Sequence, residues 1–179
     1  MSDLEIKQAL QSNPYLSTEI KERLYSLVLK LQSKIKEVDI NKLTKSLKTL
    51  KLGKLSKFER KGIYYYDVYR NIAYIDANKL EGNYDPDHIF MKVLLEMATS
   101  TNTYTGFNSD ERLRALNLAY TEILANYVIG NEGTSDLEEE VFIANLLSHI
   151  VGKDTMFNSY FTNDGRSIIK AMLDVEVGL

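Results

Sequence analysis

Apolar residues recur every three or four positions along most of the chain, which is the spacing of amphipathic α-helices. The stripe after Ser17 or Thr18 is typical: Ile20, Leu24, Leu27, Leu31 and Ile35 lie on one face. The whole pattern predicts helices at about residues 3–11, 18–35, 39–53, 86–98, 110–129, 135–151, 154–161 and 164–174. The start and stop signals for these helices are Asp39, Gly53, Asn108 or Ser109, Gly130, a capping box of Ser135 and Glu138, Gly152 and Asp154.

The most apolar helical stretch covers residues 86–98. Asp85 followed by Pro86 is a helix-start signature, because the aspartate caps the first turn and a proline there needs no amide hydrogen. In its last ten residues only Lys92 and Glu96 are charged. Apolar residues on all sides predict a helix that is buried around most of its circumference. The two charges are four residues apart and therefore share one face.

Residues 62–76 carry the one strong β signal. Tyrosines and β-branched residues dominate this segment, and Arg70-Asn71 is a suitable turn, so the pattern predicts a hairpin. Two strands alone are marginally stable, so we expect the hairpin to lie on the helices. Its tyrosines are expected to form a packed face, and a free strand edge is a surface to which an extended peptide can add.

These elements predict a mainly α fold of the α+β class, a helical domain with one small β-hairpin or sheet. A chain of 179 residues, 44% of them hydrophobic, is expected to form one domain over 1–179, with N-terminal helices at 1–60 and a core at 61–179. Cysteine is absent, which excludes disulfide and thiolate chemistry. No signal-peptide pattern and no apolar run of about 20 residues occurs. We therefore expect a cytoplasmic protein with no membrane partner.

Lysines recur every third residue from 42 to 57, and Arg60 and Lys61 follow. One hypothesis is a patch that binds nucleic acid or another anionic surface. The alternative is a solvated helix and linker, because a three-residue step turns backwards by about 60° around a helix and spreads the lysines over its sides. The segment has no interleaved aromatic residues and no nucleic-acid motif, so we favour the solvated helix and expect no nucleic-acid partner.

Two motifs in the predicted buried helices point to a family. The chain reads Lys-Val-Leu-Leu-Glu-Met-Ala-Thr over residues 92–99 and Leu-Asn-Leu-Ala-Tyr-Thr-Glu over 116–122. These motifs, with Gly106-Phe107 and residues 159–164, resemble small bacterial proteins with a zincin-like metallopeptidase core. In that family the helices read roughly His-Glu-Leu-Leu-His-Met-Ala-Ser and Leu-Asn-Glu-Gly-Tyr-Thr-Glu. The resemblance covers roughly residues 60–165 and implies a zincin-like core of two buried helices preceded by a hairpin.

The resemblance also implies that the family's metal site is lost. In the active pattern two histidines four residues apart bind zinc, and an intervening glutamate is the general base. Lys92 and Glu96 stand at the histidine positions, Val93 at the position of the base and Leu118 at that of the third ligand. Only Glu96 among them has an atom that coordinates metal, and a protonated lysine repels a divalent cation. We therefore expect no catalytic residue, no metal and no other cofactor.

The two histidines do not supply a replacement metal site. His88 lies eight residues before Glu96, which is about 12 Å along a helix, whereas zinc ligands lie about 2 Å from the metal. His149 belongs to a different predicted helix. The nucleophile motif Gly-x-Ser-x-Gly of serine hydrolases does not occur either.

Lys92 is expected to be paired, because an uncompensated charge in a dry cleft is costly. Its ammonium group would take the place of the zinc ion and join the two helices, with its nitrogen within salt-bridge distance of Glu96 or Glu122. The alternative is that Lys92 and Glu96 emerge at the edge of the helix and that the lysine snorkels into solvent. The other polar residues expected to line the cleft are His88, Asn117 and Thr121.

Three functions follow from these observations. The first is a catalytically inactive zinc-metallopeptidase-like protein that binds a peptide or protein partner through its cleft or hairpin edge, or serves as a structural module. The second is a hydrolase with a non-standard site. The third is a binder of nucleic acid or an anionic surface through the lysine-rich segment 42–61. We favour the first, because the scaffold motifs are retained while the catalytic residues are not. The pattern indicates no particular partner and no oligomeric state.

Overall fold

The computed structural model describes residues 3–55, 62–76 and 82–177. These residues contain eight α-helices and a three-stranded sheet. This arrangement confirms the predicted mainly α fold with a small sheet. The helices are α1 Asp3–Ser12, α2 Thr18–Lys34, α3 Ile40–Leu47, α4 Pro86–Thr99, α5 Arg114–Ile129, α6 Glu138–Val151, α7 Lys153–Thr162 and α8 Gly165–Val177. The strands are β1 Lys51–Lys54, β2 Tyr64–Asp67 and β3 Ile72–Ile75.

The N-terminal helices begin at two of the predicted caps. The Ser17 side chain accepts a hydrogen bond from the Ile20 amide at the start of α2, and Asp39 accepts one from the Lys42 amide at the start of α3. Each cap satisfies an amide that has no partner within its helix. The apolar stripe of α2 is buried against α1 and α4, as its spacing predicts.

The predicted continuation of the third helix to Gly53 is wrong. Helix α3 ends at Leu47, and Gly53 lies in strand β1. The Asn13 side-chain amide donates to the carbonyls of Leu47 and Leu50, at 2.8 and 2.9 Å, which satisfies carbonyls at the helix end. Distant residues therefore terminate this helix, and the chain leaves it to pair with β3.

The predicted hairpin is confirmed, and a third strand joins it. Strands β2 and β3 are antiparallel and β1 runs parallel to β3, which gives the order β1-β3-β2. Asn71 ends the turn in the left-handed conformation, with φ 52°. Its side-chain amide donates to the Ser46 carbonyl at 2.7 Å and so joins the turn to the end of α3. Strand β2 also contacts α4, as expected for a hairpin that lies on helices.

Helix α4 passes through the centre of the core, and every residue from His88 to Thr99 is buried. Asp85 caps it through the Asp87 amide, and Pro86 occupies the first turn, as predicted. Next to its C-terminal end, the rings of Phe107, Tyr120 and Tyr160 pack together with centroids 5.3–5.4 Å apart. No helix within the described ranges has the length and apolar character needed to cross a membrane.

Three of the predicted C-terminal helix starts differ from the structure. A short 3₁₀ turn, Glu111–Leu113, precedes α5 and is capped by Asp110 rather than Asn108 or Ser109. The capping box does not form, because α6 begins one residue after Leu137 and Ser135 accepts from the Leu137 amide instead. Asp154 lies within the first turn of α7 and does not cap it. Gly130 and Gly152 follow the last residues of α5 and α6, as predicted.

The lysine-rich segment is divided between different elements. Lys42 and Lys45 lie on α3, Lys48 follows it, and Lys51 and Lys54 lie in β1. The ammonium group of Lys51 sits 4.3 Å from the centroid of the Tyr15 ring. The remaining members of the segment, Lys57, Arg60 and Lys61, lie outside the described residues.

Candidate functional site

Lys92 of α4 and Glu122 of α5 form a buried ion pair between the two inner helices. The Lys92 ammonium nitrogen lies 3.5 Å from Glu122 Oε2, and each side chain is only 6% exposed. The same nitrogen lies 5.5 Å from the centroid of the Tyr64 ring in β2, where the ring face adds a favourable cation–π contact. This confirms that Lys92 is paired across the helices, and the alternative of a lysine reaching into solvent is wrong.

Glu96, one turn after Lys92, does not share this pair but lies at the bottom of a cleft. Its Oε1 accepts a hydrogen bond from the Thr105 hydroxyl at 3.3 Å. Burial raises the pKa of Glu96 from 4.5 to about 7. The hydroxyls of Thr105 and Tyr64 and the charges of Lys92 and Arg114 act in the opposite direction and limit the shift. Glu96 is therefore a carboxyl group that changes charge near neutral pH.

The cleft has a volume of about 490 Å³ and opens between strand β2 and the loop that follows α4. One wall consists of the hairpin residues 64–69, and the other of the loop residues 103–105 with Asn108. Glu96 and Leu118 lie between these walls, and Glu111 and Arg114 complete the lining. Glu96 and Leu118, two of the positions that the resemblance aligns with the zinc ligands, therefore line one cavity.

Two buried polar atoms in the cleft have no hydrogen-bond partner within the described residues, the Tyr64 hydroxyl and Asn108 Oδ1. The Tyr64 hydroxyl lies beside the Glu96 carboxylate, in a geometry too poor for a full hydrogen bond. Burial, and then the negative charge of Glu96, raises the pKa of Tyr64 well above its usual value.

Strand β2 lies at one edge of the described sheet, and its residues contribute to the lining of this cleft. The Asp76 amide donates to the Ile63 carbonyl at 2.8 Å, so residues 63 and 76 form a hydrogen-bonded pair of the antiparallel ladder. Such pairs alternate with pairs whose backbone groups point away from the partner strand. Tyr64 and Tyr66 belong to the second kind, so their amide and carbonyl groups point to the open side. No described strand pairs with β2 there.

Asn117, Thr121 and His88, which the sequence predicts to line the cleft, are not among its lining residues and make hydrogen bonds elsewhere. Asn117 Oδ1 accepts from the Phe107 amide at 2.8 Å, and the Thr121 hydroxyl lies 2.7 Å from that of Tyr160. The His88 ring lies between the Asp85 carboxylate and the Asn131 carbonyl, at 2.9 Å from each, and joins the start of α4 to the loop after α5. Val93, at the position of the family's general base, is fully buried in the core.

Sequence reasoning did not find the polar partners of Glu96. Thr105 and Arg114 come from the loop after α4 and the first residue of α5, where no apolar periodicity indicates which side chains face inward. The signal for Tyr64 was present, because the residues of β2 alternate between the two sheet faces and Tyr64 shares a face with the buried Tyr66.

The described residues contain no cluster of three or more histidine, aspartate or glutamate side chains that could hold a metal ion. The residues that the resemblance aligns with the zinc ligands are Lys92, Glu96 and Leu118, which supply an ammonium group, one carboxylate bonded to Thr105 and an alkyl side chain. These groups do not form the nitrogen and oxygen donor set that zinc requires.

Glu96 makes the stability of the chain depend on pH. Its folded pKa of about 7 lies above the ordinary 4.5, so this group lowers the free energy of unfolding by about 3 kcal/mol as the pH rises through that interval. Glu96→Gln replaces this carboxyl group by an amide that does not ionise. We expect the variant to match the wild type near pH 4.5 and to be more stable by about 3 kcal/mol near pH 8. Urea unfolding at both pH values measures the difference, and an equal difference at both would contradict the assigned pKa.

Comparisons of the chain with protein-family models, with curated proteins and with solved structures give no match. The zincin-like resemblance therefore rests on the sequence motifs alone and stays a prediction. The ion pair, the cleft and the open edge of β2 do not depend on it.

Proposed function

We propose that this chain is a non-catalytic, zincin-like protein that binds an extended peptide segment of a partner along β2. The observation that carries the proposal is the edge position of β2, where the backbone groups of Tyr64 and Tyr66 point away from β3 and both residues line a cleft of about 490 Å³. An added strand satisfies such groups, and its alternate side chains enter the cleft.

The charges of the cleft favour a basic side chain in that peptide. Asp67, Glu96 and Glu111 contribute carboxylates to the lining, against the single guanidinium of Arg114. Tyrosine rings form much of the wall, and aromatic faces attract ammonium and guanidinium groups. A lysine or arginine of the peptide, inserted between the tyrosines towards Glu96, matches both features.

The proposal is tested with an array of random-sequence peptides and the purified chain. We expect the captured peptides to contain a lysine or arginine among β-forming residues. Replacing that residue by norleucine should weaken binding about tenfold, as for loss of one charge-assisted contact. Methylating the backbone amides of a captured peptide one at a time should weaken binding at alternate positions only, because alternate amides of an added strand point to β2.

A pair of substitutions at one position checks that β2 is the binding edge. Tyr64→Pro removes an outward amide hydrogen, and proline is tolerated there because no ladder hydrogen bond is lost. Tyr64→Val removes the same ring but keeps the amide. The proline variant should bind captured peptides more weakly than the valine variant. Failure of the array to capture any peptide, or equal binding by the two variants, would reject strand addition.

A hydrolase with a non-standard site is the second candidate, and one observation favours it. Glu96 has a pKa of about 7 and lies in an open cleft beside the hydroxyls of Thr105 and Tyr64. A general acid or base works best with a pKa near the working pH. Turnover of fluorogenic peptides by the wild type, lost in Glu96→Gln, would favour the hydrolase over the binding protein.

A further inference from the structure

The Glu96 carboxyl at the bottom of the cleft is buried, and no described cation pairs with it. Glu96 is 6% exposed, and within the described ranges no lysine, arginine or histidine nitrogen lies within salt-bridge distance of its oxygens. Lys92, one turn earlier on α4, is held by Glu122 of α5 at 3.5 Å. The Thr105 hydroxyl, which bonds to Glu96 Oε1, is a neutral donor. Because a buried carboxylate without a counter-charge is costly, this group gains from a proton or from a cation that a ligand brings.

We propose, on the basis of the function proposed above, that the basic side chain of the bound peptide and a proton compete for Glu96. In the free chain at mildly acidic pH, the carboxyl carries the proton. A lysine or arginine that reaches it favours the carboxylate, so the proton passes to solvent. Two ligands that compete in this way weaken each other reciprocally. The chain therefore binds its partner more tightly at mildly alkaline pH than at mildly acidic pH.

The groups that surround Glu96 leave this competition intact between about pH 6 and about pH 8. They belong to α4, α5, α7 and β2, and they are Lys92, Arg114, Glu122, Tyr160, Tyr64 and Tyr66, with the carboxylates of Asp67 and Glu111 further along the lining. Burial raises the pKa of each of the three tyrosines, so their hydroxyls stay neutral. The charges of Lys92 and Glu122 cancel each other, and a guanidinium stays charged in this interval. The pKa of Glu96 is about 7, which lies inside the interval.

Other charged groups beside α4 lie outside the cleft. Arg23 of α2 pairs with Asp87 in the first turn of α4, nine residues before Glu96 and so about 13.5 Å away along the helix. Three more groups are not among the lining residues, and they are Lys42 of α3, His88 of α4 and His149 of α6. Any change of charge on these groups with pH persists when Glu96 is replaced, which separates it from the proposed competition.

The dissociation constant of a captured peptide, measured at about pH 6 and about pH 8, tests the competition. The peptide chosen has blocked termini and no histidine, so that it does not titrate in this interval. Its dissociation constant should fall about fivefold between the two pH values, if its preference for the ionised carboxyl is about tenfold. The analogue with norleucine in place of the basic residue should not bind more tightly at the higher pH. Binding of the basic peptide by Glu96→Gln should not change with pH.

Calorimetry at about pH 7 detects the proton that leaves. Titrations in phosphate and in Tris differ by the heat of buffer protonation, and the difference should correspond to about 0.4 proton released per wild-type chain and none from Glu96→Gln. Glu111→Gln is the matched control, since Glu111 is an exposed carboxylate of the same lining. This variant should bind the basic peptide more weakly at both pH values and preserve the change with pH.

Two outcomes would overturn the competition and leave strand addition along β2 intact. One is a basic peptide that binds with equal affinity at both pH values, and the other is a pH dependence that persists in Glu96→Gln. Capture of no peptide by the array would reject strand addition and the competition together. The two failures are therefore distinguished by whether any peptide binds.

Discussion

Replacing Lys92 by methionine is expected to lower the free energy of unfolding by about 3–5 kcal/mol. Methionine fills a similar volume, so the principal loss is the positive charge that faces Glu122 at 3.5 Å. The Glu122 side chain is only 6% exposed and would remain buried without a counter-charge. Urea unfolding at about pH 8 in a Glu96→Gln background isolates the Lys92–Glu122 pair from the charge on Glu96, at a pH where a carboxylate is not easily protonated.

The matched control removes both charges. Lys92→Met combined with Glu122→Met leaves two apolar side chains in the same space, and we expect its stability to lie within about 1 kcal/mol of the wild type. The double variant should thus be more stable than Lys92→Met alone. A loss below about 1 kcal/mol for Lys92→Met would mean that the ion pair does not join α4 to α5 in the way described.

Gly106→Ala is expected to destabilise the chain by about 4 kcal/mol, through backbone strain and the loss of a buried hydrogen bond. Gly106 has a φ of 48°, a conformation that favours glycine. A Cβ atom there would overlap Asn117 Oδ1 and lie 2.6 Å from a ring carbon of Tyr160. Asn117 would have to move away from the Phe107 amide, from which its Oδ1 accepts a hydrogen bond at 2.8 Å. Thermal or urea unfolding measures the loss.

Gly130→Ala is the control for backbone strain without crowding. Gly130 also has a positive φ, of 95°, but apart from its own chain neighbours no atom of the described residues lies within 4 Å of the position that a Cβ would occupy. We expect a loss of about 1 kcal/mol. Similar losses of stability for the two alanine variants would contradict the close packing of Asn117, Phe107 and Tyr160 around Gly106.

The sequence predicts those elements whose pattern is decided locally. Helix α4 was predicted because its cap, proline and apolar residues on all sides agree, and the hairpin because tyrosines and a turn occur together. Strand β1 was missed because its pairing partner, β3, lies about twenty residues away in sequence and its four residues, Lys51–Lys54, have no strong β propensity. The helix predicted over residues 39–53 ends early for a similar reason, because the side chains of Asn13 and Asn71 bond to carbonyls at the end of α3.

The same distinction, between local patterns and contacts with distant residues, applies to the candidate site. The Lys92–Glu122 pair follows from two apolar helices that each carry a charge, since a buried charge requires a partner. The polar contacts of Glu96 depend on the loop between α4 and α5, where Thr105 is positioned by turns rather than by a repeating pattern. The direction of the outward amides of Tyr64 and Tyr66 depends on the register with β3, which the sequence alone does not specify.

The central claim is that the buried Lys92–Glu122 ion pair joins α4 to α5, at the place where the zincin-like resemblance implies a metal ion. The most direct test is elemental analysis of the purified chain after equilibration with zinc and removal of unbound metal by gel filtration. The account predicts far less than one zinc ion per chain, and the same trace amount in Glu96→Gln and Glu122→Gln. One zinc ion per chain in the wild type, lost when either glutamate is replaced, would contradict it.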